Sequence, residues 1–172
     1  MPKLFAIYLG GRAANCNTEL HDVIFTSGTD LKSLYPKAVA AWFGLKTQVH
    51  IDSYVALEII DGYEIAFSDN PSSSNKQLYF INLGGYKEGH FTEFHENIFV
   101  VCESEKEAKI KAKEKLMQNM LQVHTDDIYD VDDCIRIDKV DGYYLNFKPT
   151  EKPEEFNPTN GYFKIPDEFK GK

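Results

Sequence analysis

One pattern runs through this chain twice, and whatever the chain folds into must accommodate two copies of it. Leu4-Phe5-Ala6-Ile7-Tyr8-Leu9-Gly10-Gly11 returns as Leu78-Tyr79-Phe80-Ile81-Asn82-Leu83-Gly84-Gly85. Thr18-Glu19-Leu20-His21 returns as Thr92-Glu93-Phe94-His95, and His50-Ile51-Asp52 as His124-Thr125-Asp126. All three pairs share a shift of 74 residues, as from 4 to 78. Asp61-Gly62-Tyr63 returns as Asp141-Gly142-Tyr143 at a shift of 80, which predicts six extra residues in the second copy just ahead of that turn. A chain of 172 residues, 42% hydrophobic, has enough apolar material for a real core. The repeat divides it into two similar small units, expected to pack about a pseudo-two-fold axis as a homodimer of a single-copy ancestor would.

Each copy reads as strand, strand, helix, hairpin. In the first strand, residues 3–9, Phe5, Ile7 and Leu9 alternate onto one face, matched by Tyr79, Ile81 and Leu83. Gly10-Gly11 and Gly84-Gly85 are expected to stop the strand, since glycine reaches the positive φ of a tight departure. Second strands are predicted over about 20–26 and 94–102. The first helix opens at Asp30 as N-cap and carries an apolar stripe through Leu34, Ala38 and Trp42, with Pro36 expected to kink it. The second opens on the capping box Ser104-Glu105-Lys106-Glu107 and presents Ala108, Ala112 and Leu116 at the equivalent positions. Apolar runs on either side of Asp61-Gly62 and Asp141-Gly142 are hairpin signals with two-residue turns. The fold class is therefore α+β: two tandem β-β-α-β-β repeats, mainly antiparallel, each sheet with one helix. The expected boundaries are 1–67 for the first unit, 68–76 for a polar linker, 77–147 for the second unit and 148–172 for a C-terminal extension. In that extension 161–165 is a candidate edge strand amid prolines.

The string Lys3-Leu4-Phe5, Leu9-Gly10-Gly11, Asn17-Thr18-Glu19, His21-Asp22, His50-Ile51-Asp52 and Asp61-Gly62-Tyr63 resembles a bacterial family catalogued only as domain of unknown function 1543. The resemblance covers about residues 3–67 and again 77–147, the first copy being the closer match. It implies a tandem-duplicated member. The family carries no established activity, so the resemblance implies nothing about mechanism.

Composition narrows the function classes. The net charge is −8, and both halves are acidic: residues 1–75 carry 5 positive and 8 negative groups, residues 76–172 carry 14 and 19. Without a basic stripe, nucleic acid and anionic membrane are not expected partners, because neutralising phosphates needs clustered Lys and Arg. No apolar run approaches the roughly 18 residues of a membrane span. The three cysteines, Cys16, Cys102 and Cys134, show no C-x-x-C spacing. Together these features suggest a reduced, cytoplasmic protein.

Chain direction suggests where chemistry could sit. The helix returns toward the Gly-Gly end, placing Glu19 and His21 beside His50 and Asp52. The second copy offers Glu93, His95, His124 and Asp126. Glu-x-His and His-x-Asp in extended backbone put two ligand-type side chains on one face. Two imidazoles and two carboxylates are a donor set for Zn, Mn or Fe. Cys16 aligns with His90, and both are possible ligands. The spacing matches no standard metal motif, and the first reading of these residues is structural: a histidine after a helix can bond the last carbonyls, and an aspartate can orient it. Ser27-Gly28-Thr29-Asp30 could hold an anion at a helix start but reads first as a cap. Three function classes follow. The leading one is a non-enzymatic binding or interaction module using the groove between units or a sheet edge, with a protein or small ligand as partner. The alternatives are a metal-dependent hydrolase or oxygenase at the His/carboxylate cluster, and a structural subunit of an assembly. Cofactor and oligomeric state are not legible.

Overall fold

The computed structural model of the protein describes residues 2–86, 88–120 and 128–171. The first repeat supplies β1 (Lys3–Gly11), β2 (Leu20–Gly28), α1 (Leu31–Ala41), a 3-10 turn at Lys46–Gln48, β3 (His50–Ala56), β4 (Ile59–Ile60) and β5 (Tyr63–Ser68). The second supplies β6 (Gln77–Tyr86), β7 (Phe94–Cys102), α2 (Glu105–Met120), β8 (Ile128–Ile137), β9 (Lys139–Val140) and β10 (Tyr143–Pro149), and the chain continues into β11 (Thr159–Lys164). The protein is α+β, with antiparallel strand pairing throughout the described sheets.

The strands form three sheets, in the orders β11-β3-β1-β2, β7-β6-β8 and β4-β5-β10-β9. Each repeat thus has one strand more than β-β-α-β-β. The strand after the helix, β3 or β8, pairs with the repeat's own first strand. The short hairpin that follows leaves that sheet and joins its counterpart from the other repeat. The extra strand was hidden because residues 54–60 carry apolar side chains nearly continuously and no glycine or proline marks the break between β3 and β4.

The helices form where their caps predict. Asp30 Oδ1 accepts from Ser33 N at 2.9 Å, and the Ser33 hydroxyl returns toward the Asp30 backbone. Glu107 N donates to Ser104 Oγ at 3.3 Å, while Glu107 reaches back to the Glu103 amide. α1 runs unbroken across Pro36. That proline removes one intrahelical donor, and the packing of Leu34, Ala38 and Trp42 against the sheet offsets the loss. These three and their counterparts Ala108, Ala112 and Leu116 are all buried.

Three apolar clusters make the interior. One lies between α1 and its sheet, built on Ile7, Leu9, Trp42 and Ile51 and closed by Ile165 from the tail. The second lies between α2 and its sheet. The third joins both repeats: Leu4, Ala6 and Leu57 pack with Leu78, Phe80, Val101 and Leu145. The β5–β10 pairing sets Ala66 opposite Asn146. Those residues are themselves equivalent at the shift of 80, so the pseudo-two-fold axis passes between them. At each hairpin tip Asp61 and Asp141 have φ of 51°, and Gly62 and Gly142 also take positive φ, as a type I′ turn requires.

Candidate metal centre

The Gly-Gly pairs do not stop their strands. β1 runs through Gly11 and β6 through Tyr86, and none of the four glycines has positive φ. Their role is space. Gly10 sits between His21 on β2 and His50 on β3, directly opposite both. Opposed residues in antiparallel strands point to the same face, about 5 Å apart. The missing side chain at Gly10 therefore leaves a hollow flanked by two imidazoles. A Cβ there would come within 2.4 Å of Asp52 Oδ2 and 2.5 Å of His50 Nε2. Gly11 faces the other way, where a Cβ would meet the Trp42 ring at 2.9 Å.

Asp52 enters the hollow through a β-bulge. The register of β1 against β3 passes from Tyr8↔Ser53 to Leu9↔Ile51, leaving Asp52 as the extra residue. A bulge re-aims one side chain without breaking the strand. His50 Nε2 lies 3.0 Å from Glu19 Oε1 and 3.1 Å from Asp52 Oδ1, and His21 Nε2 lies 3.3 Å from Asp52 Oδ2. Glu19, His21, His50 and Asp52, which chain direction brought together, are thus linked through pairwise contacts, although among the described residues only Glu93, His95 and Asp132 place three ligand atoms within 4.8 Å of one another.

The protons in this site are constrained. His50 Nδ1 is 3.3 Å from the Gln48 carbonyl, which can only accept, so Nδ1 donates there and Nε2 is the nitrogen turned toward the two carboxylates. His50 is 2% exposed, and Nε2 has no hydrogen-bond partner, because neither nearby carboxylate lies in the direction a hydrogen bond needs. Asp52 Oδ2 is buried without a partner in the same way. His50 Nε2 and the two carboxylates are thus gathered at close range with no hydrogen bond formed between them. Tyr162, on the irregular part of β11, covers the His50 ring at 4.2 Å between centroids. Tyr8 stacks on His21 at 5.2 Å. Burial pushes the Tyr8 phenol above its usual value, and the Asp52 charge pushes it further.

The second repeat builds a related but more open site. Gly84 lies opposite His95 on β7 and Asp130 on β8, and a Cβ at Gly84 would fall 2.0 Å from Asp132 Oδ2 and 2.8 Å from Glu93 Oε1. The same bulge recurs, between Asn82↔Asp133 and Leu83↔Val131, with Asp132 as the extra residue. Glu93, His95 and Asp132 place one ligand atom each within 4.8 Å of one another.

This register corrects the repeat alignment beyond the helix. Gly10 faces His50 as Gly84 faces Asp130, so the shift in the third strand is already 80. The six extra residues fall before β8, not just before the Asp-Gly turn, and α2 is itself longer than α1. The structural counterparts of His50 and Asp52 are Asp130 and Asp132. His124 and Asp126, the candidates that the sequence match offered, lie outside the described part of the chain. Cys16 accepts from the Ala13 amide within its own loop, and His90 packs on Phe94. Asp30 acts as a helix cap. Sequence reasoning missed Gly10, Gly84, Tyr162 and Asp132. For Asp132 the signal was available in the Asp-Gly turn, whose shift of 80 extends back through the strand.

Fold and site together define a class: a duplicated α+β protein in which each repeat floors a His/carboxylate cluster with a strand glycine. The family model described as Domain of Unknown Function (DUF1543) matches residues 16–67 and 90–147, and the chain belongs to that family as a tandem duplicate. Among solved structures, it is similar to the crystal structure of a protein Il1583 from Idiomarina loihiensis, with 30% identity and a TM-score of 0.76 over 97% of this chain and 100% of that one. No protein of curated function matches the chain. Among the described residues, no helix is long and apolar enough to cross a membrane.

Proposed function

We propose that this protein binds a divalent transition metal through Glu19, His21, His50 and Asp52. One observation carries the reading: the buried His50 Nε2, with its proton committed to the Gln48 side, faces two carboxylate oxygens at 3.0 and 3.1 Å and hydrogen-bonds to neither. At that range the group needs positive charge among its oxygens, and because no hydrogen bond from Nε2 is aimed at either carboxylate, a bound cation supplies it better than a second proton on the ring. Two imidazoles with two carboxylates suit Zn, Mn or Fe better than the oxygen-only sets of Ca or Mg. The Gln48 carbonyl behind His50 is the outer partner that a metal-bound histidine usually keeps.

Metal binding is in the first place a binding function and demands no reaction. A cleft of about 330 Å³ lies between the repeats, lined by Val23, Val55, Phe80 and Phe99, and its wall includes Tyr8, the ring stacked on His21. A metal held beside Tyr8 would give a small ligand entering that cleft a polar anchor, which favours the binding-module reading over a purely structural one. The test is elemental analysis of untagged protein, followed by calorimetric titration with Zn²⁺ and Mn²⁺. His50→Ala is expected to weaken the affinity by about 100-fold or more, above the range for losing an outer partner. Glu19→Gln, at a half-exposed position and so safe for the fold, is expected to weaken it by about tenfold. Wild-type protein that is metal-free as purified and takes up neither ion overturns the proposal.

A further inference from the structure

We infer that the second repeat holds its own divalent cation site, formed by Glu93, His95 and Asp132 over Gly84, so that the protein carries two metal sites of different hardness. This goes beyond the first site and stands on separate residues. Three observations support it. The first is proton placement. Asn82 Nδ2 donates to Asn97 Oδ1 at 2.7 Å, which turns Asn82 Oδ1 toward His95 Nδ1 at 3.1 Å. An amide oxygen only accepts, so Nδ1–H points to it, with Asp132 Oδ2 3.4 Å from the same nitrogen, and Nε2 is left facing Glu93. His95 Nε2 lies 3.7 Å from Glu93 Oε2, beyond hydrogen-bond distance and with room for an ion between the two atoms. Two donors at the usual distance of about 2.1 Å from one ion sit about this far apart.

The second observation is the hollow. Asp132 and Glu93 occupy the space a side chain at position 84 would fill, with Asp132 Oδ2 only 2.0 Å from an added Cβ. The third is the bulge. Asp132 is the extra residue at the same register break that aims Asp52 into the first site. The equivalent strand of each repeat therefore presents an aspartate by the same backbone device over the same strand glycine. The donor sets differ, however. Asp130 replaces His50 at the third-strand position, and its carboxylate is occupied by Lys113 at 2.9 Å. One imidazole and two carboxylates make a harder set than two imidazoles and two carboxylates. The second site should therefore favour Mn²⁺ over Zn²⁺ relative to the first. It is also more exposed, so its ion should exchange faster.

The experiment is Mn²⁺ binding followed by electron paramagnetic resonance of free Mn²⁺, with Zn²⁺ competition, on the full chain. Wild-type protein should bind two equivalents of Mn²⁺, and Zn²⁺ should displace one of them at lower concentration. His95→Ala and Glu93→Gln should each lose one equivalent, or weaken it by at least about tenfold, while the Zn²⁺-preferring equivalent persists. His50→Ala should lose the other equivalent alone. Two equivalents retained in His95→Ala, with circular dichroism unchanged, overturn the second site. A single equivalent in the wild type that vanishes with His50→Ala also overturns it and leaves the first site standing. A single equivalent that vanishes with His95→Ala and survives His50→Ala supports the second site and sinks the first.

Discussion

Asp141 shows what one side chain does to bind the repeats together. Its Oδ2 accepts from Thr26 Oγ1 at 2.8 Å, from the Ser27 amide at 2.8 Å and from Ser27 Oγ at 2.7 Å, and pairs with Lys37 at 2.6 Å. Burial alone would push this carboxyl up; the Lys37 ammonium and the Ser27 and Thr26 donors outweigh that and hold it well below the usual carboxylate range. A group ionised more readily when folded contributes stability that is present above its unfolded value of about 3.9 and lost as pH falls toward the folded one. Asp141→Asn should therefore lower stability at pH 7 by about 1–2 kcal/mol, discounted because Lys37 is partly in water, or about 3–6 °C in Tm. The gap to wild type should narrow steadily below about pH 4. Thermal unfolding followed by circular dichroism at pH 7 and pH 3 measures it, and a constant gap would contradict the assignment. The Asp-Gly turn itself was legible, because Asn-Gly and Asp-Gly pairs between apolar runs signal a type I′ turn. The reach of its carboxylate into the other repeat was not, since no local pattern encodes a partner 114 residues away. The same limit hid Tyr162, which covers His50 across a separation of 112 residues.

At the level of elements, the adjacent glycines of β1 separate two jobs. Gly10 faces the His/carboxylate cluster and Gly11 faces Trp42. In Gly10→Ala the new methyl strikes the end of the partly exposed Asp52, which can swing away, and the edge of the buried His50 ring, which must tilt. Backbone entropy gained by replacing glycine in a strand, about 0.5–1 kcal/mol, offsets part of the strain. The expectation is a Tm within about 3 °C of wild type and a metal affinity reduced by about tenfold or more. In Gly11→Ala the methyl strikes a buried indole that has nowhere to go, and overpacking of that kind costs about 1–3 kcal/mol. Its metal affinity should stay unchanged. Paired thermal melts and titrations check both, and a metal loss in Gly11→Ala alone would reverse the assignment of faces. The alternation of Phe5, Ile7 and Leu9 made these faces readable in advance, and the helix stripes were readable for the same reason. What misled was the glycine pair, because a glycine that makes room and a glycine that makes a turn look alike in sequence. The bulge at Asp52 was invisible too. It appears only when two strands are laid side by side and one is found to be a residue longer.

For the molecule as a whole, duplication has produced interlocked repeats. Each hairpin leaves its own sheet, and each hairpin tip is held by the opposite repeat. Asp61 Oδ2 accepts from the Val101 amide at 2.8 Å, and Asp61 pairs with Lys115 at 2.6 Å, just as Asp141 holds Ser27 and Lys37. Val101 and Ser27 are 74 residues apart, so the carboxylate-to-amide contact is the same in both directions, while the lysine differs: Lys37 corresponds to Lys111, and Asp61 is paired instead by Lys115 one turn further on. The core between the repeats draws Leu4, Ala6 and Leu57 from one and Phe80, Val101 and Leu145 from the other. Neither repeat can keep that core covered if the other unfolds. Losing one repeat would expose the shared apolar face, at about 25 cal/mol for each Å² uncovered. It would also leave a latch carboxylate without its donors. The protein should therefore unfold in one cooperative transition despite its duplicated sequence. At about 0.7 kcal/mol per residue near 60 °C, scanning calorimetry should record about 120 kcal/mol for the chain, with a van't Hoff enthalpy equal to it. Independent repeats would instead give a calorimetric enthalpy about twice the van't Hoff value, because each cooperative unit would be half the chain. Weakening both latches together, in Asp61→Ala with Asp141→Ala, should lower Tm and keep the ratio at one, since the shared core still couples the halves. A ratio near two in the wild type would mean that the interlocking seen in the sheets and the core does not bind the repeats thermodynamically.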